Sequence, residues 1–461
     1  MTRHHRRPRA RRPRARPNRS AGYLIVVGAV LGAALIATFV LGRSYTQLAL
    51  SRASFPRLAY VPSFDPVEDV TLGISPNSTD QAAQTQNPAI RAIEVNPRQT
   101  VMLAGGRAVR ILNVPAPRTL SGLVRIIRNR RWIRQSSGTV TLSAAVLVEH
   151  GSSMTVAAPV TTGLVLTVRP GVFLAAVDRG TLKISGVRVR ASDVHVPDTF
   201  SSPAQVAGRP FLLASQGSTM TITDSTFSYL GRDWNSSYGV SWSKDSSGSV
   251  SRSTFDHDFI GVYTNDSAGL RVTHDYFYHC SLYGVDPHSG SSGLLIEYDT
   301  ADFSGRHGII LSDHVTDSVI EYNTTAGNGL NGIMMDEYST GNVIEHNVAS
   351  GNGSDGVVLA SSGGNTVTDN TITGNRVGIT IRGDTTGTTI SGNTITGNKM
   401  ASQGAELAGN TAYGNGSQWL GKRIGLIWVI ALALLGILLG LTRAMQPRRN
   451  RRIRIRTAAA R

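Results

Sequence analysis

The sequence predicts an all-β fold, a right-handed parallel β-helix set between two transmembrane helices. Three observations carry that expectation. A Gly followed by Val or Ile recurs at Gly239, Gly261, Gly284, Gly308, Gly332, Gly356 and Gly378, at intervals of 22–24 residues. An Asn-x-x-x-x-Asn pair repeats in phase with it. Two uncharged apolar segments, each beside an arginine-rich tail, bracket the repeats.

The ends come first. The chain has 461 residues and a formal net charge of +16. Residues 1–19 hold nine arginines, residues 443–461 hold eight, and neither stretch has an acid. The remainder carries 29 basic against 30 acidic residues, so a nucleic-acid surface is not expected. Gly22–Gly42 and Ile424–Leu441 are uncharged over 21 and 18 residues. About 20 apolar residues span a bilayer core, and arginine-rich flanks stay cytoplasmic. The expected order is a basic cytoplasmic tail (1–21), a transmembrane helix (22–42), an extracytoplasmic region, a second transmembrane helix (423–442) and a basic cytoplasmic tail (443–461). That makes a two-pass cell-membrane protein. A cleaved signal peptide is the alternative for the first segment, but its length and the lack of a small-x-small site after it favour a signal-anchor. The single cysteine, Cys280, excludes an intramolecular disulfide, so the exported region must be held by its own core.

Residues 43–137 read as a connector and N-terminal cap, with Pro62, Pro66, Pro76 and a polar run over 78–87. Within them, 121–135 is a short basic amphipathic stretch, suited to a solvated helix face or to contact with anionic lipid or glycan. From 138 to 400, short β-rich runs such as Thr139–Val148 and Thr181–Val189 alternate with Gly, Ser, Asp and Asn. The period is too long for a hairpin and too short for a βαβ unit. A propeller blade needs about 40 residues. Wound as three strands and three turns, the period makes one coil of a parallel β-helix, with neighbouring coils about 4.8 Å apart. Val or Ile after each Gly should face the core. The columns Asn323, Asn347, Asn370, Asn393 and Asn328, Asn352, Asn375, Asn398 should pass amide hydrogen bonds from coil to coil. A last pair, Asn410 and Asn415, follows after 17 residues and marks a shortened terminal coil, with 401–422 as the C-terminal cap.

The register also lines up polar side chains. Four residues after each Gly stand Asn265, His288, Ser312, Asp336 and Arg382, and one further on are Asp266, Ser289, Asp313 and Glu337. Asp286 shares a strand face with His288, and Pro287 stiffens the strand between them. A His flanked by carboxylates within one or two coils is a candidate general base. Any single Asp in the column is better explained as a turn cap. Asp286, Asp313, Asp336 and Glu337 together are a candidate Ca²⁺ site, because clustered carboxylates suit a hard cation.

Phe227–Ser243 (FSYLGRDWNSSYGVSWS), Tyr283–Ser289 (YGVDPHS) and Gly305–Ser312 (GRHGIILS) resemble the periplasmic mannuronan C5-epimerases, within the wider pectate-lyase-like β-helix proteins. The resemblance covers roughly residues 200–400. Its specific part is Asp-Pro-His followed one coil later by His-Gly-Ile-Ile. It implies a polysaccharide substrate, an anionic polyuronate, and abstraction of the proton at C5. It further implies His288 as the base and Asp286 as the group setting its orientation and tautomer. Tyr283 or Tyr238, or a water, would return the proton, and His307 would line the cleft.

Two positions depart from that pattern. The relatives read Asp-Pro-His-Asp, where this chain has Ser289. They carry an arginine after the Ser of His-Gly-Ile-Ile-x-Ser, where this chain has Asp313, and Glu337 likewise replaces a basic residue. The missing positive charge would come from Arg306 or Arg382, or from Ca²⁺. Otherwise the substrate is a neutral glycan hydrolysed by paired carboxylates. The expected function is therefore a membrane-anchored polysaccharide-modifying enzyme, a C5-epimerase or a lyase sharing its first step. The alternative is a glycan-binding scaffold without catalysis. Delivery of a soft metal is disfavoured by the lack of clustered Met, Cys and His.

Overall fold

The structure, a computed structural model, describes residues 91–416 apart from 106, 170, 193–207 and 234–236. The expected membrane spans at 22–42 and 423–442 and both basic tails lie outside the described residues. Among the described residues no helix is long and apolar enough to cross a membrane.

The repeats wind into three sheets of 14, 10 and 13 strands. Gly239–Ser243, Ser247–Ser251 and Thr254–Asp256 fall in the first, second and third sheets, and Ile260–Asn265 returns to the first beside Gly239–Ser243. Every contact between successive coils is parallel from Thr139 onward.

The periodic Gly-Val/Ile step has a steric cause. Val240, Val262, Val285, Ile309, Ile333, Val357 and Ile379 all point inward and are fully buried. Each contributes about 1.5–3 kcal/mol relative to exposure. The glycine before each packs its backbone closely against the next coil. A Cβ at Gly308 would stand 2.9 Å from both the Gly332 carbonyl oxygen and Thr325 Cβ. The third sheet adds an internal aromatic stack, with Phe227, Phe255 and Phe277 at centroid spacings of 4.9 and 4.8 Å.

Both Asn columns form ladders. Asn323 Nδ2 donates to Asn347 Oδ1 at 3.0 Å, Asn347 to Asn370 at 3.0 Å and Asn370 to Asn393 at 2.9 Å. The Asn328 column repeats this at 3.0–3.1 Å. Each amide also donates to a backbone carbonyl of the preceding coil, as Asn347 does to Ile320. No buried amide in the ladder is left unpaired, which is the condition for placing polar groups inside a coil. The shortened last coil is present: Asn410 and Asn415 accept from Asn393 and Asn398 at 2.8 and 3.1 Å. Its strands join the first and third sheets only, and the omitted second-sheet strand accounts for the 17-residue step.

The strands run beyond the expected 138–400. Arg91–Val95 already pairs parallel with Ala145–Val148, and Thr100–Ala104 and Arg107–Leu112 extend the first sheet antiparallel. Helix α1, Leu120–Ile127, covers the open end with Leu120, Leu123 and Ile127. Thr119 caps its first turn, and Arg128, at φ 48°, ends it in the left-handed region. The basic stretch 121–135 is therefore a helix only in part. Its second half is a turn and the strand Ile133–Ser136.

Candidate active site

The outward face of the first sheet carries the nominated residues. Register places Tyr263 beside Asp286, Asn265 beside His288, and His288 beside Ser312. A cleft of about 200 Å³ opens there, lined by Asp233, Tyr238, Tyr263, Tyr283, Asp286, His288 and Ser312 with Ile260, Leu282 and Ile310. Tyr263 and Asp233 escaped the sequence reading. Tyr263 stands two residues after Gly261, as Asp286 does after Gly284, so the repeat could have found it. Asp233 lies in a loop outside the period and carried no such signal.

His288 is half-buried. Burial holds its imidazolium below the ordinary range, outweighing the upward pull of Asp313 and Glu337. The ring is therefore neutral at pH 7 and has a lone pair for a proton. Its Nδ1 lies 2.6 Å from Ser289 Oγ, and Ser289 Oγ donates to Asp313 Oδ2 at 2.9 Å. A hydroxyl has one proton, so Nδ1–H is the donor to Ser289 and Nε2 is left as the acceptor. Asp313 is ionised, its carboxyl lowered by hydrogen bonds from His314 and Ser289.

This corrects the role expected of Asp286. Among the described hydrogen bonds none joins Asp286 to the His288 ring, whose Nδ1 is taken by Ser289. Ser289, at φ 41° in the turn, curls back onto the ring instead. Asp286 is almost wholly buried, and its Oδ1 has no hydrogen-bond partner among the described residues. Burial raises its carboxyl well above the usual range, against a smaller lowering by Arg306. Burial thus favours its protonated form, which can donate a hydrogen bond. Burial likewise pushes Tyr238 up to about 12 and raises Tyr263 and Tyr283, so three protonated phenols face the cleft.

Arg306 approaches through Tyr283, donating from Nη1 to the phenol oxygen at 3.2 Å. His307 does not line the cleft. It is buried behind Tyr283, stacked on that ring at 5.2 Å, and accepts from the Asn331 N–H at Nδ1. Burial pushes its pKa down to about 3. Arg382 follows Ala360 in register, four coils beyond His288, or roughly 19 Å at 4.8 Å per coil. It is not part of the cleft.

The candidate Ca²⁺ set is not assembled. Among the described residues no three His, Cys, Asp or Glu side chains converge as metal ligands. Asp286 lies on the flat strand inside the cleft. Asp313 and Glu337 sit in left-handed turns at its rim, and Asp336 accepts from the Glu337 N–H.

Comparison with known proteins agrees with this fold. Residues 211–395 match the family described as the right handed beta helix region. The mannuronan C5-epimerase of Pseudomonas fluorescens is 30% identical over 146 residues, 29% of this chain and 27% of that protein. The Pseudomonas aeruginosa enzyme is 30% identical over 132 residues, 26% of this chain and 24% of that one. The chain thus aligns with about a quarter of the length of these relatives. The crystal structure of the periplasmic alginate epimerase AlgG superposes with a TM-score of 0.59 at 22% identity, covering 73% of this chain and 77% of that one. The fold is a right-handed parallel β-helix, similar to that of mannuronan C5-epimerases.

Proposed function

We propose that this chain abstracts the C5 proton of a uronate residue in an anionic polysaccharide, as an epimerase does. The observation that carries the reading is the neutral His288, held in one tautomer with Nε2 free, beside the buried carboxyl of Asp286 and three protonated phenols. C5 is α to the carboxylate, so its proton becomes removable when the developing enolate charge is stabilised. His288 Nε2 takes the proton. The electron pair moves onto the carboxylate, where Arg306 supplies positive charge and neutral Asp286 donates a hydrogen bond. A phenol of Tyr238, Tyr263 or Tyr283 returns a proton to the opposite face of C5, and exchange with water resets both groups. If the anion instead expels the 4-O-linked sugar, the same site is a lyase. The apolar segments at 22–42 and 423–442 would hold it at the outer face of the membrane, where exported polymer passes.

The test is incubation of the full chain with polymannuronate in D₂O beside a His288→Ala control. Deuterium entering C5 with the wild type alone supports the reading, and an accompanying double bond identifies a lyase. No exchange, with polymer binding retained by both proteins, refutes it and leaves a glycan-binding scaffold.

A further inference from the structure

The near-neutral balance of the region between the tails conceals a division along the solenoid. Residues 91–192 carry 15 basic side chains against three acids, Glu94, Glu149 and Asp178, whereas 208–416 carry nine against 21. Two of those three acids are buried, and burial pushes Glu94 up to about 8 and Glu149 to about 7. The N-terminal coils are therefore strongly cationic at neutral pH, although the sequence average excluded a basic surface.

Part of that charge is organised. Arg188 and Arg190 line a groove of about 300 Å³ on the outward face of the third sheet, with Thr139, Gly163 and Val165. Register stacks Thr139, Gly163 and Arg188 in one column and Thr141, Val165 and Arg190 in the next. Gly163 is not in the left-handed region, so its backbone does not demand glycine. A Cβ there would stand 2.8 Å from Thr139 Oγ1 and fill the floor of the groove. Arg134 pairs with Thr141 across the adjoining hairpin and extends the Arg190 column by one strand. That row crosses four strands, roughly 14 Å, with a guanidinium at each end. Arg134, Arg188 and Arg190 are exposed, and among the described residues none of them forms an ion pair.

We propose that this groove is a second, non-catalytic binding site for an anionic polysaccharide chain. A concave floor of threonine and glycine between guanidinium groups fits carboxylates carried on a strand, and Arg is suited to bidentate carboxylate contact. A bilayer surface is flat, and the exposed apolar pair Val109 and Ile111 that would favour one lies on the first sheet instead. The groove is distinct from the cleft. Its coil precedes that of Tyr276–Tyr278 by three steps on the third sheet, and the cleft opens on the first. The inference rests on the proposed function only for the identity of the polymer.

Calorimetric titration of the full chain with long polymannuronate at low salt tests it. Arg188→Gln with Arg190→Gln should weaken binding about tenfold, as expected for losing two solvent-exposed ionic contacts. The control Arg98→Gln with Lys183→Gln, equal in charge but away from the groove, should change it less than about twofold. Equal weakening by both pairs would overturn the proposal in favour of diffuse charge, and no weakening by either would overturn it outright. Loss of binding to phosphatidylglycerol vesicles, with polymer affinity intact, would reassign the groove to lipid. C5 deuterium exchange on short oligomers should survive in the groove variant. Its absence from the wild type, with groove-dependent binding intact, would refute the proposed reaction and leave this site standing.

Discussion

Ser289→Ala removes one hydroxyl and tests how the base is held. That hydroxyl lies 2.6 Å from His288 Nδ1 and 2.9 Å from Asp313 Oδ2, and it is the only link between ring and carboxylate among the described hydrogen bonds. A hydrogen bond to a charged group contributes about 1.5–3 kcal/mol, and each 1.36 kcal/mol is tenfold in rate, so kcat should fall about 10- to 100-fold. Ser289 does not line the cleft, so KM should stay within about twofold. The pH profile supplies a second readout. Asp313 pulls the His288 pKa upward against the larger effect of burial. Asp313→Asn removes that pull, so the imidazolium becomes more acidic still. The base works deprotonated, so the acidic limb of kcat/KM should move to lower pH while the plateau drops with the weaker base. The assay is C5 deuterium exchange measured from pH 4 to 9. A Ser289→Ala enzyme within twofold of wild-type kcat, or an Asp313→Asn limb that does not move, would show that the relay plays no part.

Arg306→Gln should raise KM for a polyuronate about tenfold or more and leave the fold intact, because it removes the cation bonded to Tyr283 of the cleft. An unchanged KM would take Arg306 out of the site. Asn347→Ala should cost about 3 kcal/mol or more in urea unfolding, since the Asn323 N–H and amide that it accepts would be left unmet inside the coil. Asn415→Ala, half-exposed in the last coil, should cost less than about 1 kcal/mol by the same measurement. Glu94, buried and beside Glu149, has its folded pKa raised to about 8. Its stabilising contribution is complete below about pH 4, declines as the unfolded carboxyl ionises, and is lost as pH rises to about 8. Glu94→Gln should therefore raise Tm above wild type at pH 8–9, with the gain shrinking toward pH 4. A constant difference across that range would contradict the linkage.

The fold was legible because its constraints repeat. Gly308 must be glycine for the same steric reason as Gly284 and Gly332, and Asn347 pairs as Asn370 does, so one coil's physics is written many times over. The ends do not repeat. Arg91–Val95 joins the first sheet through pairing with Ala145–Val148, some fifty residues away, and no local pattern announces that partner. The site divides in the same way. Asp286, His288 and Ser312 follow from strand register, and they meet in the cleft. The turn positions do not: Ser289 and Asp313 were read as two separate departures from the epimerase pattern, yet left-handed backbone at φ 41° and 62° joins their side chains in a chain that runs from the His288 ring nitrogen through Ser289 to Asp313. Direction of a side chain in a turn depends on a dihedral that spacing does not reveal. Arg382 shows the converse error. Its column was right, but four coils separate it from the base.

The two departures and the charge of the cleft bear on each other. An arginine where Asp313 stands would place positive charge at the turn-side rim, next to His288. Here that rim is acidic, with Asp313, Asp336 and Glu337, and the cation lies across the strand at Arg306, tied to Tyr283. Under the proposed reaction, a uronate in this cleft would be repelled at one edge and attracted at the other, so its carboxylate should point toward Arg306. The same acid that repels the substrate at the rim orients the base through Ser289. On that reading, a cation at the opposite edge is what leaves Asp313 free to serve His288. The double variant Asp313→Arg with Arg306→Gln separates these roles. If the cation acts from either edge, it should recover binding lost in Arg306→Gln alone while keeping kcat low, because the ring has lost its carboxylate. Recovery of kcat together with KM would mean that Asp313 contributes nothing through the ring, and that Ser289 alone suffices to hold it.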